Sequence, residues 1–274
     1  MAESTHLRLK DSRAILNLVG DCHDLGDDRQ AWRGRLIAGL AGLIDADLGF
    51  SGEMAGCRSQ SPRDLGSVEW GWENGFDRAV FVAQMARMHA DPAYTPAMNL
   101  YFSRLEQDDG VCHVRTDLIA DRPWYASHDY QSICRAYGVD HILWCFRSLA
   151  RGSGDVSSGL VLTRSAGRRD FRRRDRTIVR EAHAALAPLV GGTLAGHDDP
   201  SPRALPPRAR QVLVCLLQGD GDKQIAARLK LSVHTVNGYT KAIYRHFGVG
   251  GRSDLLARWI RRGWGDRFSW TDEP

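Results

Sequence analysis

The chain predicts two domains, an α+β domain followed by an all-α four-helix domain, and three observations carry that prediction. Strand-like and helical stretches are mixed up to residue 195. Residues 196–204, rich in proline, acidic and small residues, interrupt both periodicities and read as a linker. From residue 205 to 264 only helical periodicity remains, with a concentrated positive charge, and residues 265–274 form a tail.

The first domain, residues 1–195, starts with amphipathic stretches at 9–19 and 30–44, the second with Trp32, Leu36, Ile37, Leu40, Leu43 and Ile44 on one face. Residues 47–54 and 65–72 read as strands, 76–88 and 96–105 as helices, and 112–118 as a strand. Residues 130–137 read as helical. Two strands at 140–146 and 159–163 are joined by the turn-rich Arg151-Gly-Ser-Gly-Asp, and a long helix at 172–194 closes the domain. Helices flanking an antiparallel sheet give an α+β architecture.

Composition bounds the function. With 274 residues, 43% hydrophobic and 26% charged, the chain is an ordinary globular protein of two-domain length. The N-terminus carries no apolar run of the signal type, and the longest apolar helical stretch, 36–44, is too short to span a bilayer, so a cytoplasmic protein with no membrane partner is expected. Six cysteines without a CxxC pair imply free thiols in a reducing compartment. Asp21-Cys22-His23-Asp24 places its ligating types on one short segment that cannot close a tetrahedron, so no metal is expected. There is no GxSxG, HExxH or glycine-rich phosphate loop, so the reading is of a non-enzyme without a cofactor.

In the second domain Pro206 and Pro207 open a helix carrying Val212, Leu213, Leu216 and Leu217, and Gly219 to Gly221 stops it. Asp222 reads as the N-cap of 223–229, with Ile225, Ala226 and Leu229 on one face. After the short turn Lys230-Leu231, Ser232 caps a longer helix, 233–247, with Val233, Val236, Ile243 and Phe247 inward and His234, Asn237, Lys241 and Arg245 on other faces. A fourth helix, 252–262, carries Leu255, Leu256, Trp259 and Ile260. Between Arg203 and Trp264 twelve bases face three aspartates, a balance of +9 in a chain of +4, so the remainder is acidic. A helix-turn-helix pattern coinciding with the basic segment points to double-stranded DNA.

Four runs carry a family resemblance: Leu205-Pro-Pro-Arg-Ala-Arg-Gln-Val-Leu213, Gly221-Asp-Lys-Gln-Ile-Ala-Ala-Arg-Leu229, Leu231-Ser-Val-His-Thr-Val-Asn237 and Ile243-Tyr-Arg-His-Phe-Gly-Val-Gly-Gly-Arg252. Together they resemble the LuxR/GerE-type DNA-binding domain of bacterial transcription regulators over about sixty residues. The resemblance implies a third helix in the major groove and a fourth able to pair with its counterpart in a second subunit, through Leu255, Leu256 and Trp259. It also implies that Asn237, Gly238 and Lys241 face base edges, while Lys223, Thr235, Tyr244 and Arg245 meet phosphates. Ala209, Asn237, Gly238 and Tyr239 depart from the family pattern, so base readout is expected to differ. Gly238 is open to two readings, close approach to DNA or drift at a tolerant position.

The first domain is similar, more weakly, to the GAF/PAS-like sensor domains found in such regulators. Trp70, Trp72, Trp124, Tyr125 and Trp144 are candidates for a small-molecule pocket, or else core and dimer-contact aromatics. The aromatic spacing of acyl-homoserine-lactone receptors is not present around Asp91-Pro92. The arginine run from Arg168 to Arg176 reads either as a second DNA contact or as a locally paired loop.

The expected function is a sequence-specific transcription regulator, dimeric, with a small-molecule ligand and RNA polymerase as further candidate partners. Two alternatives stay open: an enzyme or carrier domain with a DNA tether, and a sigma-factor-like subunit, which the acidic, strand-bearing upstream segment disfavours.

Overall fold

The computed structural model describes residues 7–59, 61–71, 95–149 and 155–264. The chain divides into two compact units, one of residues 1–22 and 30–190, the other of 23–29 and 191–274. Residues 191–204, expected to be linker and domain end, therefore fold with the C-terminal unit, and so does the segment 23–29. The Gly26 carbonyl accepts the Ala195 N–H at 2.7 Å and Asp28 accepts the Ser201 hydroxyl at 2.8 Å.

The first unit begins with α1 (Leu9–Asp24) and α2 (Arg29–Ile44). α2 buries Trp32, Leu36, Ile37, Leu40, Ala41 and Ile44, so its periodicity reports a helix that is covered over most of its surface. The sheet is antiparallel, five-stranded and ordered β2-β1-β5-β4-β3, from β1 (Leu48–Ala55), β2 (Arg63–Trp70), β3 (Cys112–Val114), β4 (Val139–Ser148) and β5 (Val156–Ser165). The α+β expectation therefore holds.

Strand alternation sorts the two faces. Trp144 and Phe146 of β4 turn toward α3 (Pro96–Gln107), where Tyr101 and Phe102 meet them at ring-centroid distances of 5.6–6.0 Å. The Tyr101 hydroxyl donates to the Val111 carbonyl at 2.8 Å and accepts the Phe146 N–H at 2.7 Å, satisfying a polar group in an apolar layer. Gly159, beside Phe146 in the ladder, has no side chain because a Cβ would lie 2.4 Å from that ring. On the opposite face Leu143, Cys145, Leu160 and Leu162 are buried, and α6 (Arg173–Leu186) contacts β4 and β3 there.

Several elements differ from expectation for local reasons. Residues 112–118 were expected as one strand, yet β3 stops at Val114 and a helical turn, α4 (Arg115–Leu118), follows. Asp117 accepts the Val114 N–H at 3.2 Å, which caps the turn. A short α5 (Asp121–Ala126) precedes a π-helical turn, Tyr130–Cys134, where a regular helix to 137 was expected. α6 ends at Leu186 rather than 194 because Pro188 has no N–H to continue the ladder, and a 3-10 turn, Ala187–Leu189, replaces it. The expected helix 76–88 and the Asp91-Pro92 pair lie outside the described residues.

The arginine run is tied within the first unit. Arg174 pairs with Asp11 at 2.6 Å and Arg176 with Asp117 at 2.5 Å, and Arg168 pairs with Asp45 and Asp47. The locally paired reading is the one these contacts favour. No helix among the described residues is long and apolar enough to cross a membrane.

The second unit is a four-helix domain: α7 (Pro207–Leu217), α8 (Asp222–Leu229), α9 (Val233–Phe247) and α10 (Arg252–Arg262). One core joins them, built from Leu205, Ala209, Val212, Leu213, Leu216, Ile225, Val236, Ile243, Phe247, Leu255 and Trp259. Arg252 donates to the carbonyls of Leu216 at 2.8 Å and Asp220 at 2.7 Å, capping the C-terminal end of α7 where the helix dipole favours a cation.

Candidate nucleic-acid interface

The connection between α8 and α9 is three residues long, and its backbone fixes how the second helix leaves the first. Lys230 ends α8 in the left-handed region at φ 54°, uncommon for a residue with a Cβ. Leu231 follows, half-buried against the core. Ser232 then caps α9, its Oγ accepting the Thr235 N–H at 3.0 Å. At the start of α8 the N-cap is Gly221, not Asp222, and the Gln224 side chain accepts the Gly221 N–H at 2.7 Å. At the end of α9 Gly248 takes φ 62°, the left-handed closure a glycine accommodates without a Cβ clash.

α9 is roughly 22 Å long at 1.5 Å per residue and has two distinct sides. Val236, Thr240, Ile243 and Phe247 are buried. His234, Thr235, Asn237, Gly238, Lys241, Ala242 and Arg245 are exposed. His234, Asn237, Lys241 and Arg245 recur at three- and four-residue spacing and form one outward stripe. Val233, expected inward, is 41% exposed: as the first helical residue it projects beyond the core-facing row.

The expected contact residues fall on this surface with two qualifications. Lys223, exposed in the first turn of α8, and Asn237, Gly238, Lys241 and Arg245 stand clear of the core. The Thr235 hydroxyl lies 2.8 Å from Ser232 Oγ, so part of its hydrogen-bonding capacity serves the cap. Tyr244 is half-buried against the core, and burial pushes its hydroxyl above the usual tyrosine range. Around Gly238 an added Cβ would meet nothing within 4 Å, so the glycine is not required by packing inside the domain. His234 extends the stripe toward the helix start; three-residue spacing from Asn237 was the sequence signal for it.

Not every base contributes free charge. Arg228 pairs with Asp220 at 2.9 Å and bonds Gln218 at 2.6 Å. Asp199 binds Arg262 (Nη1 to Oδ2, 2.7 Å) and Arg258 (3.2 Å), and also accepts the Gly196 N–H at 2.8 Å. Arg258 and Arg262 line a groove of about 770 Å³ with Arg29, His246 and Asp198, where Asp199 offsets their charge. Lys223, Lys230, Lys241 and Arg245, on or beside α8 and α9, are exposed. Nothing in the sequence pattern singled out Asp199, which lies where a linker was expected.

The expected pairing residues need correction. Leu255 and Trp259 are buried in the domain's own core, with Trp259 stacked edge-on between Phe247 and Trp264, so neither is presented to a second subunit. The physical reason is the helical period: their four-residue spacing is the core-facing row of α10. Leu256 is half-buried and Ile260 is 74% exposed, and these two carry the apolar surface that remains.

Four of the five aromatic pocket candidates fall among the described residues. Trp124 and Trp144 are buried in the layer between sheet and α3. Tyr125 donates to Asp140 at 3.0 Å, and Trp70 is half-buried at the end of edge strand β2. Trp72 lies outside the described residues. Among the described residues no group of three or more His, Cys, Asp or Glu could hold a metal ion.

Comparison with known proteins bears on the second unit. Residues 203–258 match the family model described as "Bacterial regulatory proteins, luxR family". Over 84 residues the chain is 34% identical to the probable HTH-type transcriptional regulator GfsR of Streptomyces halstedii, a stretch covering 30% of this chain and 35% of that one. Over 81 residues it is 35% identical to response regulator Rre1 of Synechocystis sp., covering 29% and 35%. The chain thus spans about a third of the length of these curated relatives. Among solved structures, Escherichia coli SdiA aligns over 81% of this chain and 86% of its own at 16% identity, with a TM-score of 0.34.

Proposed function

We propose that this chain, which carries a LuxR-type helix-turn-helix domain at residues 203–258, is a sequence-specific DNA-binding transcription regulator. The observation that carries the reading is the outward stripe of α9, with His234, Asn237, Lys241 and Arg245 exposed on one side of a helix whose other side is locked into the core. Such a rod fits the major groove, where side chains reach base edges. Asn237 pairs bidentately with adenine and Lys241 reaches guanine acceptors, while Lys223 and Arg245 neutralise phosphates and set the register.

Two copies bind half-sites related by their own two-fold axis, with Leu256 and Ile260 of α10 as the apolar contact. The α+β unit receives the signal or holds the dimer, and a small molecule is the class of signal its sheet-and-helix layers suit. A cytoplasmic location follows from that role.

The test is selection of genomic fragments by the purified full-length chain, with and without a metabolite extract, scored against random duplex and heparin at moderate salt. Enrichment of fragments sharing a two-fold-related motif supports the regulator. Equal retention of every duplex and of heparin would overturn it.

A further inference from the structure

We propose that Cys112 and Cys145 form a modification site, a dithiol that a peroxide converts into an intrachain disulfide, with His183 as the positioning residue for Cys145. The proposal rests on strand register and side-chain placement in the first unit, not on the DNA-binding reading.

Cys112 and Cys145 are direct partners across the antiparallel β3–β4 ladder. Facing residues in such a pair project to the same side with Cα atoms about 4.5–5.5 Å apart, inside the range of about 4.4–6.8 Å that a disulfide spans. Closing the bond therefore needs rotation of side chains and no movement of strands. Paired in register, the two side chains face one another on the side of the sheet that α6 covers. From α6, the His183 Nδ1 lies 3.5 Å from Cys145 Sγ, and His183 Nε2 is buried with no hydrogen-bond partner, so the ring is committed to the cysteine side. Arg147 adds positive charge near the pair, whereas Arg176 and Arg180 are themselves paired with Asp117 and Glu181.

The surroundings separate this pair from the other cysteines. Donation from Cys112, with help from His183, holds the Cys145 thiol below the ordinary range, while burial and that same donation push Cys112 up. Burial instead pushes Cys22 and Cys57 up to about 12, and Cys134 well up as well. A thiol that can pass its proton to a neighbouring sulfur and imidazole as it reacts is the arrangement that oxidises selectively, and a desolvated thiol without such partners is inert.

The route to the bond starts at Cys112, which is half-buried on the edge strand, whereas Cys145 is fully covered. Cys112 gives its proton to the Cys145 side as its sulfur attacks one peroxide oxygen; the O–O bond breaks, the sulfur becomes a sulfenic acid, and one proton of the Cys145–His183 pair leaves with the departing hydroxide as water. The Cys145 sulfur then attacks the Cys112 sulfur. The S–S bond forms, the S–O bond breaks, and the proton shared by Cys145 and His183 leaves with the second hydroxide. Two thiols and one peroxide thus give one disulfide and two waters. The bond would clamp the three-residue edge strand to β4.

The experiment treats the full-length protein with hydrogen peroxide, removes the peroxide, alkylates the remaining thiols in denaturant, digests without reductant and maps peptides by mass. The expected result is a linked peptide pair carrying Cys112 and Cys145, two hydrogens lighter than the separate peptides and released by dithiothreitol, with Cys22, Cys57, Cys134 and Cys215 alkylated. Cys112→Ser abolishes the linkage, and His183→Gln slows its appearance several-fold in protein whose circular dichroism is unchanged. Alkylation of both cysteines after treatment, or linkage to a different cysteine, overturns the site; an unchanged rate in His183→Gln overturns the role given to the imidazole.

Discussion

Arg33 of α2 and Glu53 of β1 form a buried ion pair, Nη2 to Oε1 2.5 Å, with both side chains almost wholly removed from solvent. Arg33 also lies within 3.4 Å of Ser51 Oγ and 3.3 Å of the Gly52 carbonyl, so one guanidinium ties the helix to the strand it covers. Removing one partner leaves an uncompensated buried charge. Glu53→Ala is expected to lower the unfolding free energy by about 3–5 kcal/mol, whereas replacing both residues with apolar groups of similar volume recovers much of the loss. Urea unfolding of the three proteins checks it, and additive losses would show that the two side chains do not act as a pair.

Asp129, at the mouth of the π-helical turn, is buried, and burial pushes its carboxyl up to about 7. A carboxyl whose folded pKa exceeds its unfolded value stabilises below the unfolded value and loses that contribution as pH rises through the folded one. The relevant window runs from the ordinary carboxylate value of 3.8 to about 7. Within it stability falls with rising pH by up to about 1.4 kcal/mol per unit for one proton. Asp129→Asn is expected to flatten that slope in thermal melts taken at pH 4.5, 6 and 7.5.

The helices of the second unit were legible because period, caps and breakers agree there: Pro207, Ser232 and Gly248 sit at helix ends where their backbones are useful. What escaped was long-range. Asp199 reads as a linker acid in sequence, and only folding brings Arg258 and Arg262 to it. Lys230 takes a left-handed backbone that nothing in its residue type announces. In α10 the apolar residues were correctly placed on a helix, but periodicity alone does not say which of two adjacent apolar rows faces inward; burial of Leu255 and Trp259 decides it. In the first unit the apolar pattern runs on past Pro188, but the missing N–H of that proline ends the α-helix and leaves a 3-10 turn.

Gly238 separates helix stability from groove fit. Since a Cβ there meets nothing in the domain, Gly238→Ala is expected to stabilise the isolated fold by up to about 1 kcal/mol, the helix-interior difference between the two residues. If close backbone approach to DNA is the reason for the glycine, the same variant binds its site more weakly. A higher melting temperature with unchanged affinity would instead mark a tolerant position.

Leu256 and Ile260 define the self-association test that Trp259 cannot. Trp259→Asp places a carboxylate in the core and is expected to unfold the domain. Ile260→Asp changes an exposed side chain, so the fold survives while an apolar dimer contact is lost. Sedimentation of the full-length chain should shift toward monomer in Ile260→Asp, with circular dichroism unchanged. An unaltered distribution would remove α10 as the pairing surface.

Lys223 and Lys241 divide the proposed interface by role. Both are exposed, one in the first turn of α8 and the other on the outward stripe of α9, so neither substitution disturbs the core. With five to six phosphates neutralised, the logarithm of affinity is expected to fall with that of salt at a slope of about −5, roughly 0.9 per phosphate. Lys223→Ala removes one such contact from each bound copy, so it should weaken operator and random duplex alike and flatten the slope by about one unit per copy. Lys241→Ala removes a base-edge contact, and should cost about 1–3 kcal/mol on the operator with a much smaller loss on random duplex, narrowing the ratio between them. Fluorescence anisotropy across a salt series measures both quantities at once. Equal losses on the two DNAs for both variants would mean that α9 is held against the backbone and that its stripe reads no bases.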